Sequence, residues 1–291
     1  MNPSGVETHG GKPKSIGQSL RKWNLFIETQ GGARAGERAF TLLELLVVIA
    51  TLASLALLLV PVLARTDDNG ARMVCLHNLR QMGMAENMYV GDNRDYFPQP
   101  NFDSGANGSP QGWLYTVTNG AIPNPLAVLP PTANPISAWR TGAWFQYLQN
   151  QEYYLCPVDI ESKTYATSAA SGGRANKLSS YVMNGAVTGY GSYPPPCKIT
   201  SVWSPACYLL WEPDENADGP GIPGASEFND GSNAPDEGMG RLHSASSGNI
   251  LCVGGNAQFI TLQTFATQAA IGLGPGPGGR TLAWWAPGAG N

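Results

Sequence analysis

The sequence predicts an α+β fold in which a long N-terminal helix, transmembrane over its first half, packs on a small antiparallel β-sheet with long loops. Three observations carry this reading. Residues 40–64 form one apolar run in which Glu44 is the single charge. Beyond it, Val74, Leu76, Leu79, Met82, Met84, Met88 and Tyr89 recur at near-helical spacing. After residue 92, short runs of strand-forming residues alternate with Gly, Pro, Asn and Ser loops.

At 291 residues the chain has room for one sizeable domain or two small ones. Charged side chains make up 13% of it, about half the usual share for a globular protein. Gly (36) and Pro (23) mark a loop-rich body but fall short of a low-complexity composition. A net charge of -4 gives no basic footprint, so no nucleic-acid partner is predicted. The charge is uneven: residues 1–39 are net basic and the rest is acidic. A basic leader before an apolar span is the arrangement of an N-terminus kept in the cytoplasm.

Taken in order, residues 1–39 are a basic cytoplasmic leader, and 40–64 a transmembrane stretch of about 37 Å of helix, more than the roughly 30 Å of a hydrocarbon core. Residues 65–91 continue the same helix outside lipid behind a collar of Arg65, Asp67, Asp68 and Arg72. Pro61 and Gly70 are expected to bend it, and Gly91-Asp92-Asn93 to end it. Residues 92–291 form the head. Its clearest strands are Tyr181–Met183, Ala206–Trp211, Asn249–Val253 and Ala257–Leu262, the last two joined by a tight Gly-Gly-Asn turn. Residues 101–140 and 213–240 are long irregular insertions.

An anchor alone accounts for the length of the apolar run, but not for Glu44. A cut between Ala39 and Phe40 would create an α-amino group about one helical turn from that carboxylate, a natural counter-charge within one chain or between neighbouring subunits. The run Arg38-Ala39-Phe40-Thr41-Leu42-Leu43-Glu44-Leu45 resembles the processing site of type IV prepilins and type II secretion pseudopilins. The resemblance implies a pilin-like lollipop, cleavage by a prepilin peptidase, N-methylation of Phe40, Glu44 as an assembly determinant and Pro61 as a helix kink. Ala39 stands where the family usually has Gly.

A second set of landmarks resembles pilin-like proteins common in Planctomycetes and Verrucomicrobia. These are Cys75-Leu76-His77-Asn78-Leu79-Arg80-Gln81-Met82-Gly83, Tyr154-Leu155-Cys156-Pro157, Ser180-Tyr181-Val182-Met183-Asn184, and Arg241-Leu242-His243 with Gly248-Asn249-Ile250-Leu251. The Asp-Gly-His turn that usually follows is replaced by Cys252-Val253-Gly254-Gly255-Asn256.

Chemistry in the head is sparse. Asp214, Asn216 and Asp218, followed by Gly219, match the first half of a calcium loop, with Glu227 or Asp230 as substitutes for the missing bidentate Glu. The alternative there is a solvated acidic turn. The five cysteines show no zinc-type spacing; in an extracytoplasmic head they allow one or two disulfides, with buried free thiols as the even alternative. His77 and His243, set beside Ser244 or Cys252, offer no defined triad order. Trp113, Trp139, Trp144, Trp284 and Trp285 are either a carbohydrate-facing surface or core.

The resulting expectation is a non-enzymatic filament subunit, of a pilus or a secretion pseudopilus. Its partners would be prepilin peptidase, other pilin or pseudopilin subunits and the inner membrane, with the head extracytoplasmic. The alternative is a membrane-tethered protein binding glycans or cell surfaces.

Overall fold

The computed structural model describes residues 40–103, 106, 108–117, 119–126, 135–191, 195–270 and 280–287, without the side chains of 57–68. Thr41 and Glu44 open the first helix, α1 (Leu42–Asp92), with a reciprocal capping box. The Glu44 N–H donates to Thr41 Oγ1 at 3.2 Å, and the Thr41 N–H donates back to Glu44 Oε2 at 2.9 Å. The helix ends at Asp92, at the expected Gly91-Asp92-Asn93 punctuation, where Asn93 Nδ2 donates to the Tyr89 carbonyl at 2.7 Å. The leader, with Ala39 and the expected cut, lies outside the described residues, as does the Pro61 side chain.

The transmembrane expectation is corrected. Among the described residues no helix is long and apolar enough to cross a membrane. From Cys75 onward the helix instead turns one face into a protein core. The transmembrane spine and the single-pass inner-membrane placement of the chain fall with it.

The chain divides into two units, Met1–Ser54 and Leu55–Asn291. In the first, every large apolar side chain from Phe40 to Ile49 is exposed, as is Leu52. In the second, α1 buries Cys75 and the series Leu76, Leu79, Met82, Ala85 and Val90, the latter spaced three to five residues apart, on one face. Val74, Met84 and Met88, expected in that stripe, remain exposed because they sit about 100° or more around the helix from the centre of the buried face.

Short helices follow, α2 (Ile136–Trp139), α3 (Phe145–Leu148) and α4 (Lys163–Ala166), then the sheet, then α5 (Leu262–Ala270) after its last strand. The sheet holds β1 (Val182–Asn184), β2 (Tyr208–Trp211), β3 (Ser232–Asn233), β4 (Ser247–Cys252) and β5 (Ala257–Thr261), in the order β3-β1-β2-β4-β5. It is mixed rather than antiparallel: β1 pairs with β3 in parallel, Met183 opposite Ser232. A parallel pair needs a crossover, and the insertion at 213–240 supplies it by returning Ser232 and Asn233 to the sheet edge. The four expected strands are present within two residues at either end, and β4 and β5 form the expected hairpin, with Gly255 at φ +82°.

Alternation sorts the strands onto two cores. Met183, Leu210, Leu251 and Val253 face the cluster that includes α1; Val182, Tyr208, Trp211, Ile250 and Cys252 face a second cluster with Phe265 and Trp284. A register shift between Tyr208 and Leu210 puts Leu209 and Leu210 on the same side. Gly83 lets α1 press on the hairpin: a Cβ there would meet Leu251 Cδ1 at 3.1 Å and Gly255 Cα at 3.3 Å. The far cluster is closed by residues 281–286, which join the sheet through Tyr208 N–H to the Leu282 carbonyl and Trp285 Nε1–H to the Tyr208 carbonyl.

Candidate metal centre

Four of the sequence landmarks converge on one buried point. Asn78 on α1 donates its amide to the carbonyls of Glu152 (3.3 Å) and Leu155 (3.0 Å), which brings the Tyr154–Cys156 segment against the helix. The Cys156 N–H then donates to Ser180 Oγ at 2.9 Å. Cys75, one turn before Leu79 on the buried face of α1, lies opposite Cys156. From the sheet, Glu212 follows β2 directly and His243 sits in the turn before β4. Ligand-capable atoms of Cys75, Cys156, Glu212 and His243 all lie within 4.8 Å of one another, and all four residues are buried.

His243 Nε2 is the hub. It stands 3.1 Å from Glu212 Oε1, 3.2 Å from Cys75 Sγ and 3.4 Å from Cys156 Sγ. Nδ1, on the far side of the ring, has no partner among the described residues. Asn249 on β4 fixes the carboxylate from behind, its N–H donating to Oε2 and its Nδ2 to Oε1, each at 3.1 Å. The landmark Asn249 is therefore a brace, and Glu212 a member that no landmark contained.

The electrostatics follow from this crowding. A hydrogen bond with Cys75 draws the Cys156 thiol down to about 7, against the opposing effect of burial, with His243 helping. The same sulfur contact, with burial and the Glu212 charge, pushes Cys75 well up. Burial pulls the His243 imidazole down, but its contacts with Cys156 and Glu212 outweigh that and lift it to about 10. These opposing shifts belong to one crowded, buried cluster of two sulfurs, an imidazole and a carboxyl group. Two sulfurs, an imidazole nitrogen and a carboxylate oxygen are also the donor types of a closed four-coordinate cation site. Burial of all four members denies a substrate access, so the Cys156–His243 pair does not read as a nucleophile and base.

The other sequence candidates sit apart. Phe40 is exposed and Glu44 is occupied in its capping box. Asp214 Oδ1 accepts from the Asn216 N–H at 3.0 Å, Asn216 Nδ2 donates to Glu215 Oε1 at 2.8 Å, and Asp214 Oδ2 faces Arg241 at 3.9 Å. Those are the contacts of a self-contained Asx turn, and Asp218 has no part in them. Glu227 and Asp230 are bound elsewhere, Glu227 Oε2 to Asn233 Nδ2 and Asp230 Oδ1 to the Ser232 N–H. His77 is exposed, edge-on to Tyr153, and far in role from His243. Trp113, Trp139, Trp144, Trp284 and Trp285 are all buried, which removes them as a stacking surface for glycans. All five cysteines are free thiols.

Sequence reasoning missed the tetrad because it looked for ligands at short spacing. Here the ligands come one each from α1, a loop, the end of β2 and the turn before β4, so only folding assembles them. The available signal was that Cys75, Cys156 and His243 each lay inside a separate landmark. Comparison of the chain with protein-family models, with curated proteins and with solved structures finds no match.

Proposed function

We propose that the chain is a non-catalytic structural subunit that assembles with copies or relatives of itself through the N-terminal part of α1, after processing between Ala39 and Phe40. The observation that carries this is the exposure of every large apolar side chain from Phe40 to Ile49, on all sides of a capped helix. A helix apolar all round needs to be surrounded by other apolar surface. A bundle of equivalent helices from neighbouring subunits provides it, and a Phe40 amine could then meet the Glu44 of a neighbour.

Two substitutions separate the capping role of Glu44 from a charge role. Glu44→Gln keeps the capping box, since Gln serves at this position as Glu does. It removes the charge. The expected result is that Glu44→Gln and Glu44→Ala both lower the yield of high-mass assemblies, on the order of tenfold for one lost charge-assisted contact. Sedimentation and electron microscopy of assemblies recovered from the source cells would read this. Wild-type assembly by Glu44→Gln would sink the charge pairing. A mature N-terminus at Met1, read by mass, would sink the processing step.

A further inference from the structure

We propose that Cys75, Cys156, Glu212 and His243 bind one zinc-class divalent cation in a closed, structural site that fastens α1 to the sheet. Three edges of the cluster have the lengths of a tetrahedral cation site, and all four ligand atoms lie within 4.8 Å of one another. With Zn–N near 2.0 Å and Zn–S near 2.3 Å, the ligand-to-ligand edges of a tetrahedral site come to about 3.5 Å. The three edges meeting at His243 Nε2 are 3.1, 3.2 and 3.4 Å. A single ring nitrogen carries at most one hydrogen and cannot satisfy a carboxylate and two sulfurs together. A cation at the centroid bonds all of them at once.

The ligand types choose the metal class. Two thiolates exclude the hard, oxygen-seeking cations calcium and magnesium, while an imidazole and a carboxylate beside them suit zinc. Four protein ligands and complete burial leave no open position, which is the mark of a structural rather than a catalytic site. The surroundings are built as ligand sites are: Asn249 orients the carboxylate with two hydrogen bonds, and Asn78 and Ser180 hold the segment that carries Cys156. Zinc uptake displaces the protons of both thiols and of any imidazolium, with no change of oxidation state. The site is independent of assembly through residues 40–52.

The test uses the full chain, purified with a phosphine reductant and stripped by a chelator. Zinc is expected to bind at one equivalent per chain with release of protons. Cobalt in its place should give tetrahedral ligand-field bands with thiolate-to-cobalt charge transfer. Cys75→Ser and Cys156→Ser should each weaken zinc binding about 100-fold or more, and Asn249→Ala, which touches no metal, about 10- to 100-fold. Cys197→Ser, outside the tetrad, should bind as wild type. Three results would overturn the site: no stoichiometric uptake by the reduced wild-type chain, a cobalt spectrum without thiolate charge transfer, or undiminished binding by the Cys75→Ser, Cys156→Ser double variant. Because the first two are read on wild type, they decide even where a variant does not fold. A Cys75–Cys156 disulfide in protein taken from the source cells would overturn it as well.

Discussion

Asp159→Ala is expected to destabilise the head by about 3–5 kcal/mol, the usual result of stripping one partner from a buried ion pair. Arg174 Nη1 donates to both Asp159 oxygens, at 2.9 and 2.8 Å, and the two side chains are 0% and 1% exposed. The guanidinium is also sandwiched against Phe228 at 4.0 Å and Tyr165 at 4.6 Å. Its Nε and Nη2 have no partners among the described residues. With the carboxylate removed, a full positive charge would be left in apolar surroundings with nothing to answer it. Removing both charges with Asp159→Leu and Arg174→Met should recover most of the loss, because well-packed apolar replacements of buried pairs are often neutral. Urea denaturation at neutral pH reads both, the single variant shifting the midpoint by about 1–3 M. A shift too small to measure in Asp159→Ala would mean that water reaches Arg174. Ser180 links this pair to the cation site, donating to Asp159 Oδ2 at 2.5 Å while accepting from the Cys156 N–H. The single variant should therefore weaken zinc binding as well.

Glu86→Gln is expected to stabilise the protein at alkaline pH and to leave it nearly unchanged at pH 4. Glu86 lies on the buried face of α1, and neither of its oxygens has a hydrogen-bond partner among the described residues. Burial pushes its carboxyl from 4.5 up to about 8, with a smaller opposing pull from Trp144. Below pH 4.5 both folded and unfolded chains hold the proton, and its contribution to stability is fully present. Between 4.5 and 8 the unfolded chain gives the proton up while the folded chain keeps it, so stability falls as pH rises. Above about 8 the loss is complete, on the order of 5 kcal/mol. Gln does not titrate, so the variant lacks this slope. Denaturation at pH 4, 6 and 9, variant against wild type, isolates the Glu86 contribution; parallel profiles would show that water or a missing partner solvates the carboxylate.

The elements that the sequence made legible are those with a local apolar or turn signal. The buried face of α1 was readable from its helical period, β2, β4 and β5 from short runs of strand-forming residues, and the turn between the last two from Gly254-Gly255-Asn256. β3 was not, since Ser232 and Asn233 are polar and owe their strand geometry to pairing with Met183 and Asn184. Its polar side chains find partners inside the fold: Ser232 Oγ donates to the Met183 carbonyl, and Asn233 Nδ2 donates to Glu227 Oε2. The membrane span was the largest misreading, because a run of apolar residues states a need for apolar surroundings without naming them. Glu44 looked anomalous within that run until Thr41, three residues before it, showed the local capping pattern. At the cation site, composition showed five cysteines, paired or free, and three histidines; what it could not show was that four segments far apart in the chain end at one point.

The strap at residues 281–286 sets a timetable. Asn184 Nδ2 donates to the carbonyls of both Tyr208 and Ala283, and Trp285 fills a place between the sheet and Phe97. The contacts of Ala283 and Trp285 cannot form until residues 283–285 have been synthesised, long after the buried face of α1 has been made. At 5–20 residues per second that interval is on the order of 10–40 s. Through it, Leu79, Met82 and the newly made strands remain without their final cover, much longer than the microseconds in which a hairpin such as β4–β5 forms. A ribosome-bound nascent chain stopped before residue 281 should therefore be readily cut by protease, whereas one carrying the strap clear of the exit tunnel should resist.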